Sequence, residues 1–582
     1  MSLSSTSPPS LPSEILGVIA EALSFEDWFA CILVNKEWST EFTSVFYRSI
    51  TLLTSRQCSL FHGTLLESPQ LGYCIRKICI RAPDPPSMML KHLPELCPFL
   101  THLDLSKDIR GHIHDLPLLP LSFASLSSLT YLRVTSNLND FSWLETLSQL
   151  NFLSIQWVGT KWSMALMTNI HTWCPMLNTL QLVIKSTNMA TNPVPLFSSP
   201  LPRINKDIAT NRQQLPDNDN ASNGNSYNVS LTLKSANIYF PVELTHPLVA
   251  GWLNFCATKY PNLIQLTMGL EIGHQNHRSN PFNTNSNIKN HLVSSMELFS
   301  QSCPHIKSIN LENFSEYYRL LQCINRHERQ LEQLSIRDPY ELVAWSLFSG
   351  TTESSRHSLS KLSIASFRDV LPHIEYGLVQ HLQTLPNLSS LTLTECMNRI
   401  SIDRLLYAAP QLKHLCLVAT YLVTTSGIPL VEQHDGLEIL EFKRNSVTQL
   451  VLKYINYHCH RLRQLIIERT SIPPLFGDVK QQSHISFANL NLEKVSLHSV
   501  SRKTVVPDSD SFVGVKVNTN DSFKWYHTGK DNDRNNKSGD VLGYKAIPYS
   551  DLPVRENNNA LRLLVECRTL RHLYFNDTRL II

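Results

Sequence analysis

Six segments of this chain repeat one nine-residue template: "CPFLTHLDL" (97–105), "CPMLNTLQL" (174–182), "YPNLIQLTM" (260–268), "CPHIKSINL" (303–311), "LPNLSSLTL" (385–393) and "APQLKHLCL" (409–417). Each reads small or apolar residue, Pro, any residue, Leu or Ile, two free positions, Leu or Ile, one free position, apolar residue. Looser copies without the proline begin at 128, 149, 330, 358, 436, 461, 491 and 569. From Ile306 to Leu492 the first apolar position recurs at 331, 359, 388, 412, 437 and 462, a step of 24 to 30 residues. A period of that length belongs to a solenoid, in which each unit buries its apolar side against its neighbours.

Local chemistry predicts what one unit looks like. In "LKHLCLV" the alternation turns Leu412, Leu415 and Leu417 inward and His414, Cys416 and Val418 to the other face, as a strand requires. Amphipathic stretches such as "SIDRLLYAA", "VLKYINYHCH" and "LVQHLQTL" stand just upstream of the strands and read as short helices. The following proline cannot continue a helix interior, so the Cys-Pro or Ala-Pro pair stops it. Alternating helix and strand at this period gives an α/β fold, a parallel sheet with helices outside. Pattern and step together resemble leucine-rich repeats, and the resemblance implies a horseshoe-shaped solenoid over residues 71–582. The ninth position, where such repeats place Asn or Cys to bond the turn backbone, holds Asn137, Cys396 and Asn445, but Lys185, Phe314 and Pro339 in other copies. An irregular solenoid is expected. Residues 185–228, 271–290 and 501–558 are rich in Asn, Ser, Asp and Gly and are expected to be flexible insertions, with "TLRHLYF" after the last of them closing the stack.

The chain has 582 residues, 42% of them hydrophobic, enough for a long core. Its net charge of +3 is too small for a field that gathers nucleic acid or an acidic membrane, and no Lys/Arg stripe interleaved with aromatics appears. The start "MSLSSTSPPS" lacks a basic region followed by an apolar one, and no apolar run approaches a bilayer span. The thirteen cysteines are scattered, as small buried hydrophobes in a reducing compartment would be. A soluble cytoplasmic or nuclear chain is expected, with no nucleic-acid or membrane partner. Asn-x-Ser/Thr sequons such as those at Asn228 and Asn387 then carry no sugar.

After a disordered tail (1–10), residues 11–50 read as three short helices. The first, about Ser13 to Leu23, carries Ile15, Ile19 and Leu23 on one face, reinforced by Leu16, Val18 and Ala22; Pro12 suits its first turn. Ser24 with Asp27 opens a second helix through "WFACILV", and a third begins near "NKEW". Leu16, Ile19, Leu33, Val34 and Trp38 are the expected core, small enough to need outside support. The order "LPSEIL...I...L....D......LVNKEW.....VFYRSI" resembles an F-box. That resemblance implies docking to a Skp-type adaptor of a cullin-based (SCF-type) ubiquitin ligase through Leu11, Pro12, Ile15, Leu16, Ile19, Leu33 and Val34, with Trp38 and Tyr47 bracing the helices. Trp28 stands where the family favours Leu, and Asn35 where it favours Cys or Ser. Joined to leucine-rich repeats, such a module implies a substrate receptor: one end docks to the ligase, the repeats hold a target protein, and other subunits catalyse ubiquitin transfer. The alternatives are a helical cap on the solenoid and a repeat scaffold without a ligase.

No phosphate loop, G-x-S-x-G, H-E-x-x-H or C-x-x-C motif occurs, so no catalytic residue, metal or cofactor is expected. His458, Cys459 and His460, with His414 and Cys416, are the densest candidate ligands, but Cys459 occupies the small-residue slot before a strand, as Cys97, Cys174 and Cys303 do. His112 and His114 in "GHIHD" read as a solvated turn. The candidate target face comprises the outward residues of the later repeats: His414, Glu441, Lys443, Gln464, Glu468, Lys494, His498, His572 and Tyr574, with Ser390 and Thr392 beside them. That polar mixture of both signs suits a protein or peptide.

Overall fold

A computed structural model describes residues 11–23, 25–82, 85–105, 125–136, 142–157, 164–184, 230, 232–241, 246–271, 286–314, 316–338, 352–366, 374–395, 399–425, 434–472, 483–498, 511–517, 523–527, 546–547, 561–575 and 578–580. The expected tail, the insertion at 185–228, and His112, His114, Asn137, Lys185, Pro339 and Cys396 lie outside these residues. The chain divides into two compact units, Met1–His305 and Ile306–Ile582.

The first unit opens with helices α1 (Ser13–Ala22), α2 (Phe25–Ile32) and α3 (Lys36–Arg48), followed by strand β1 (Ser49–Leu52). Helices α4 (Ser55–Glu67) and α5 (Pro69–Cys74) lead to β2 (Lys77–Ile80), and α6 (Ser87–Leu96) leads to β3 (His102–Asp104). Strands β4 (Tyr131–Ser136), β5 (Phe152–Trp157), β6 (Thr179–Ile184), β7 (Ser235–Pro241) and β8 (Gln265–Glu271) complete an all-parallel ladder in sequence order. Its register stacks Leu103, Leu132, Leu153, Leu180, Ala236 and Leu266 into one column, each no more than 1% exposed. Burial of each such leucine stabilises the stack by roughly 1.5–3 kcal/mol. Strand β7 is a repeat that the template missed: Leu233, Ala236 and Ile238 hold the three apolar positions, with Ala in place of Leu.

The second unit contains β9 (Ser308–Glu312), β10 (Gln333–Asp338), β11 (Lys361–Ser366), β12 (Ser390–Thr394), β13 (Arg399–Ser401), β14 (His414–Val418), β15 (Tyr421–Val423), β16 (Ile439–Lys443), β17 (Ser446–Val447), β18 (Gln464–Glu468) and β19 (Ser483–His498). Beyond them lie β20 (Ser511–Val517), β21 (Phe523–His527), β22 (Ala546–Ile547), β23 (Leu561–Phe575) and β24 (Thr578–Leu580). The main ladder runs β9, β10, β11, β12, β14, β16, β18, β19, β23, all parallel; β13, β15 and β17 form a small parallel sheet of their own. Both units are leucine-rich-repeat-like: parallel sheets whose strands are preceded in most repeats by a helix. Among the described residues no helix is long and apolar enough to cross a membrane.

The proline of the template does more than stop a helix. In "CPFL" and its relatives the slot residue's carbonyl accepts the N–H of the first template leucine: Leu100 to Cys97, Leu177 to Cys174, Leu412 to Ala409, Leu462 to Cys459, all at 3.0–3.2 Å. Where proline is present it holds the second place of a four-residue turn, where its fixed φ is pre-set. At the other end of the strand, Asn313, Glu395, Ala419, Arg444 and Arg469 all adopt φ between 48° and 59° although none is glycine. The bends place the Glu395, Ala419, Arg444 and Arg469 N–H groups 2.7–2.8 Å from carbonyls of the next strand. Asn445, 3% exposed, bonds the turn backbone as its position implies, its Oδ1 accepting from Thr420 N–H at 2.8 Å and its Nδ2 donating to Leu417 O at 2.7 Å; Phe314 fills the equivalent place as a buried apolar side chain.

Two expected insertions differ from expectation. In the second, Glu271 ends β8 and residues 286–290 begin the helix Ser286–Ser302, leaving 272–285 outside the described residues. In the third, β20 pairs antiparallel with β21 and parallel with β23, which also carries "TLRHLYF". The apolar and aromatic residues of "SFVGVKV" and "FKWYH" suit a pleated sheet, a signal that Asn-rich flanks hide in the average composition.

Candidate functional site

The three N-terminal helices close on a core of Leu16, Ala20 and Phe42, with Ile19, Leu23, Trp28, Cys31, Ile32, Trp38 and Val45 packed against it. Trp28 is a tie as well as a filler: its Nε1 donates to Ala20 O at 2.6 Å, which leucine could not do. Asn35 caps α3, its side chain accepting from Trp38 N–H at 2.9 Å, and the Trp38 ring stacks on Phe42 at 5.5 Å. Tyr47 is half-buried, its ring edge-on to Phe46 at 5.2 Å.

This core corrects the expected one. Leu33 and Val34 are 85% and 58% exposed, in the turn between α2 and α3, so neither packs the helices. Leu16, expected both in the core and facing an adaptor, is 1% exposed and packs the core only, because α1 turns the Leu16–Ala20 side inward. Leu11 and Ile15 are 43% and 48% exposed, Pro12 is exposed, and Ile19 is half-buried at the core edge. Val18, read from the sequence as reinforcing the apolar face that carries Ile15, is 66% exposed; its spacing of three from Ile15 puts both on one side of α1. The module therefore shows water Leu11 just before α1, Ile15 and Val18 on α1, and Leu33 and Val34 at the next connection.

On the sheet of the second unit, all nine candidate target-face residues occupy outward positions of β14, β16, β18, β19 and β23. The fold brings two groups of them into contact. Glu441 sits between His414, whose Nε2 is 3.0 Å from Oε1, and Lys443, whose Nζ is 2.5 Å from Oε2; Ser390 Oγ lies 3.4 Å from His414 Nδ1. The hydrogen bond from His414, then those from Lys443, outweigh partial burial and hold the Glu441 carboxyl down at about 2. Lys494 Nζ stands 5.1 Å from the centre of the Tyr574 ring, a cation over a π face. Gln464, Glu468, His498 and His572 share the face. Cys416 alternates outward as expected yet is only 6% exposed, and burial pushes its thiol up to about 11. His458 stacks on Tyr454 and Cys459 is fully buried in its slot, its N–H donating to Ile455 O; among the described residues no group of three His, Cys, Asp or Glu side chains is placed to hold a metal.

No protein-family model matches the chain, and no curated protein matches it. Among solved structures it resembles the LRIM1/APL1C complex at 12% identity, with 69% of this chain and 61% of that chain covered and a TM-score of 0.26. It also resembles the APL1 leucine-rich repeat domain at 11% identity, with 79% of this chain and 75% of that chain covered and a TM-score of 0.24. The first match thus spans less than two thirds of its relative's length.

Proposed function

We propose that the chain is the non-catalytic substrate receptor of a cullin-based ubiquitin ligase, working in the cytoplasm or nucleus. The α1–α3 module docks to a Skp-type adaptor, and the repeat sheet holds a target protein within reach of subunits that transfer ubiquitin. Its contribution is effective concentration. The observation that carries this reading is the exposed set Leu11, Ile15, Val18, Leu33 and Val34 on a module of only three helices, apolar surface that a partner would cover. A second reading, a repeat scaffold capped by these helices and uncoupled from any ligase, is favoured by α3 running straight into β1, which pairs with β2.

Size-exclusion chromatography of the full chain with purified Skp-type adaptor and cullin core separates the two. The receptor reading expects co-elution that disappears when Ile15→Asp and Leu33→Asp are combined, with circular dichroism unchanged. Elution of the wild-type chain apart from the adaptor supports the scaffold reading instead.

A further inference from the structure

Among the described residues, the outward face of the first unit carries a column of rings. The first outward positions of β3, β4 and β5 are His102, Tyr131 and Phe152, paired in register. Their rings stack as one column, His102 to Tyr131 at 3.6 Å and 11°, Tyr131 to Phe152 at 4.1 Å and 5°. All three are half-buried. Tyr131 has a ring on each face, so between its three rings the column offers edges, which pack against side chains, and no gap that a base or sugar could enter.

Cations border this column. Lys77, exposed, precedes His102 in the same row of the sheet, and Arg133 stands two residues beyond Tyr131 on β4. Among the described residues neither Lys77 nor Arg133 is in a salt bridge, whereas Asp104, the one acid beside them in this register, is only 8% exposed. Burial lowers the His102 pKa, Lys77 adding to the effect and Asp104 opposing it. The surface is thus an apolar ridge with two uncommitted positive charges at its side.

We infer that the His102–Tyr131–Phe152 column, with Lys77 and Arg133, is a docking surface for an acidic segment of a partner protein that carries a large apolar side chain. Charge complementarity selects this occupant: Asp or Glu flanks meet Lys77 and Arg133, and the apolar side chain lies along the ring edges. The inference does not rest on ligase docking, since the helical module takes no part in it.

The test is fluorescence anisotropy of the full chain with labelled twelve-residue peptides that place Phe or Leu between Asp and Glu residues. Binding is expected, weakening as salt rises, with no binding of the same peptides bearing Lys in place of the acids. Combined Lys77→Glu and Arg133→Glu, both outside the core and checked by thermal melting, should weaken the acidic peptides about tenfold or more and gain binding of the lysine peptides. The inference is overturned if the acidic peptides do not bind, if the charge-reversed chain binds them equally, or if a thymidine oligonucleotide of the same charge competes as well as they do.

Discussion

Glu441 shows how far a single side chain on the repeat face is already committed. With His414 on one oxygen and Lys443 on the other, it is part of the structure before any target arrives. Its folded pKa of about 2 lies below the ordinary 4.5, so the deprotonated form is favoured by folding. The stabilisation is fully present above the unfolded value and is lost as pH falls through the folded one. Glu441→Gln should therefore cost on the order of 1–2 kcal/mol in urea unfolding at pH 7. That difference should shrink by about half at pH 3, and a deficit independent of pH would show that packing, rather than charge, is what Glu441 contributes. The sequence marked Glu441 as outward and polar, but strand alternation does not say which outward charges pair across strands.

At the scale of elements, the leucine template marked most strands because one physical requirement, a parallel sheet buried on one face, writes itself into each repeat. It failed where that requirement is met by another residue. Ala236 fills a leucine place on β7, and the left-handed bends at Glu395, Ala419, Arg444 and Arg469 carry no glycine to announce them. It failed again in the N-terminal helices, since periodicity defines an apolar stripe but not which apolar residues lie beyond the core, as Val18, Leu33 and Val34 do. Helix α5 illustrates a contact no pattern reveals: a Cβ built on Gly72 collides with the backbone oxygen of Leu96 at the end of α6. Backbone on both sides leaves nothing flexible to give way. Gly72→Ala should destabilise the first unit by about 1–3 kcal/mol, read as a lower urea midpoint, while Gly63→Ala on α4, with open space around its added Cβ, serves as the control. Equal midpoints for the two variants would mean that α5 and α6 are not in this contact.

For the molecule as a whole, the proposed function divides the work between the leucine-rich-repeat-like sheets, offered as a surface for a target protein, and the three helices, offered as the ligase dock. The most direct measurement is isothermal titration of the full chain with purified Skp-type adaptor at several temperatures. Burial of Leu11, Ile15, Val18, Leu33 and Val34 predicts saturable binding with a negative heat-capacity change, abolished by Ile15→Asp with Leu33→Asp. No binding by the wild-type chain, or binding that survives both substitutions, would contradict it.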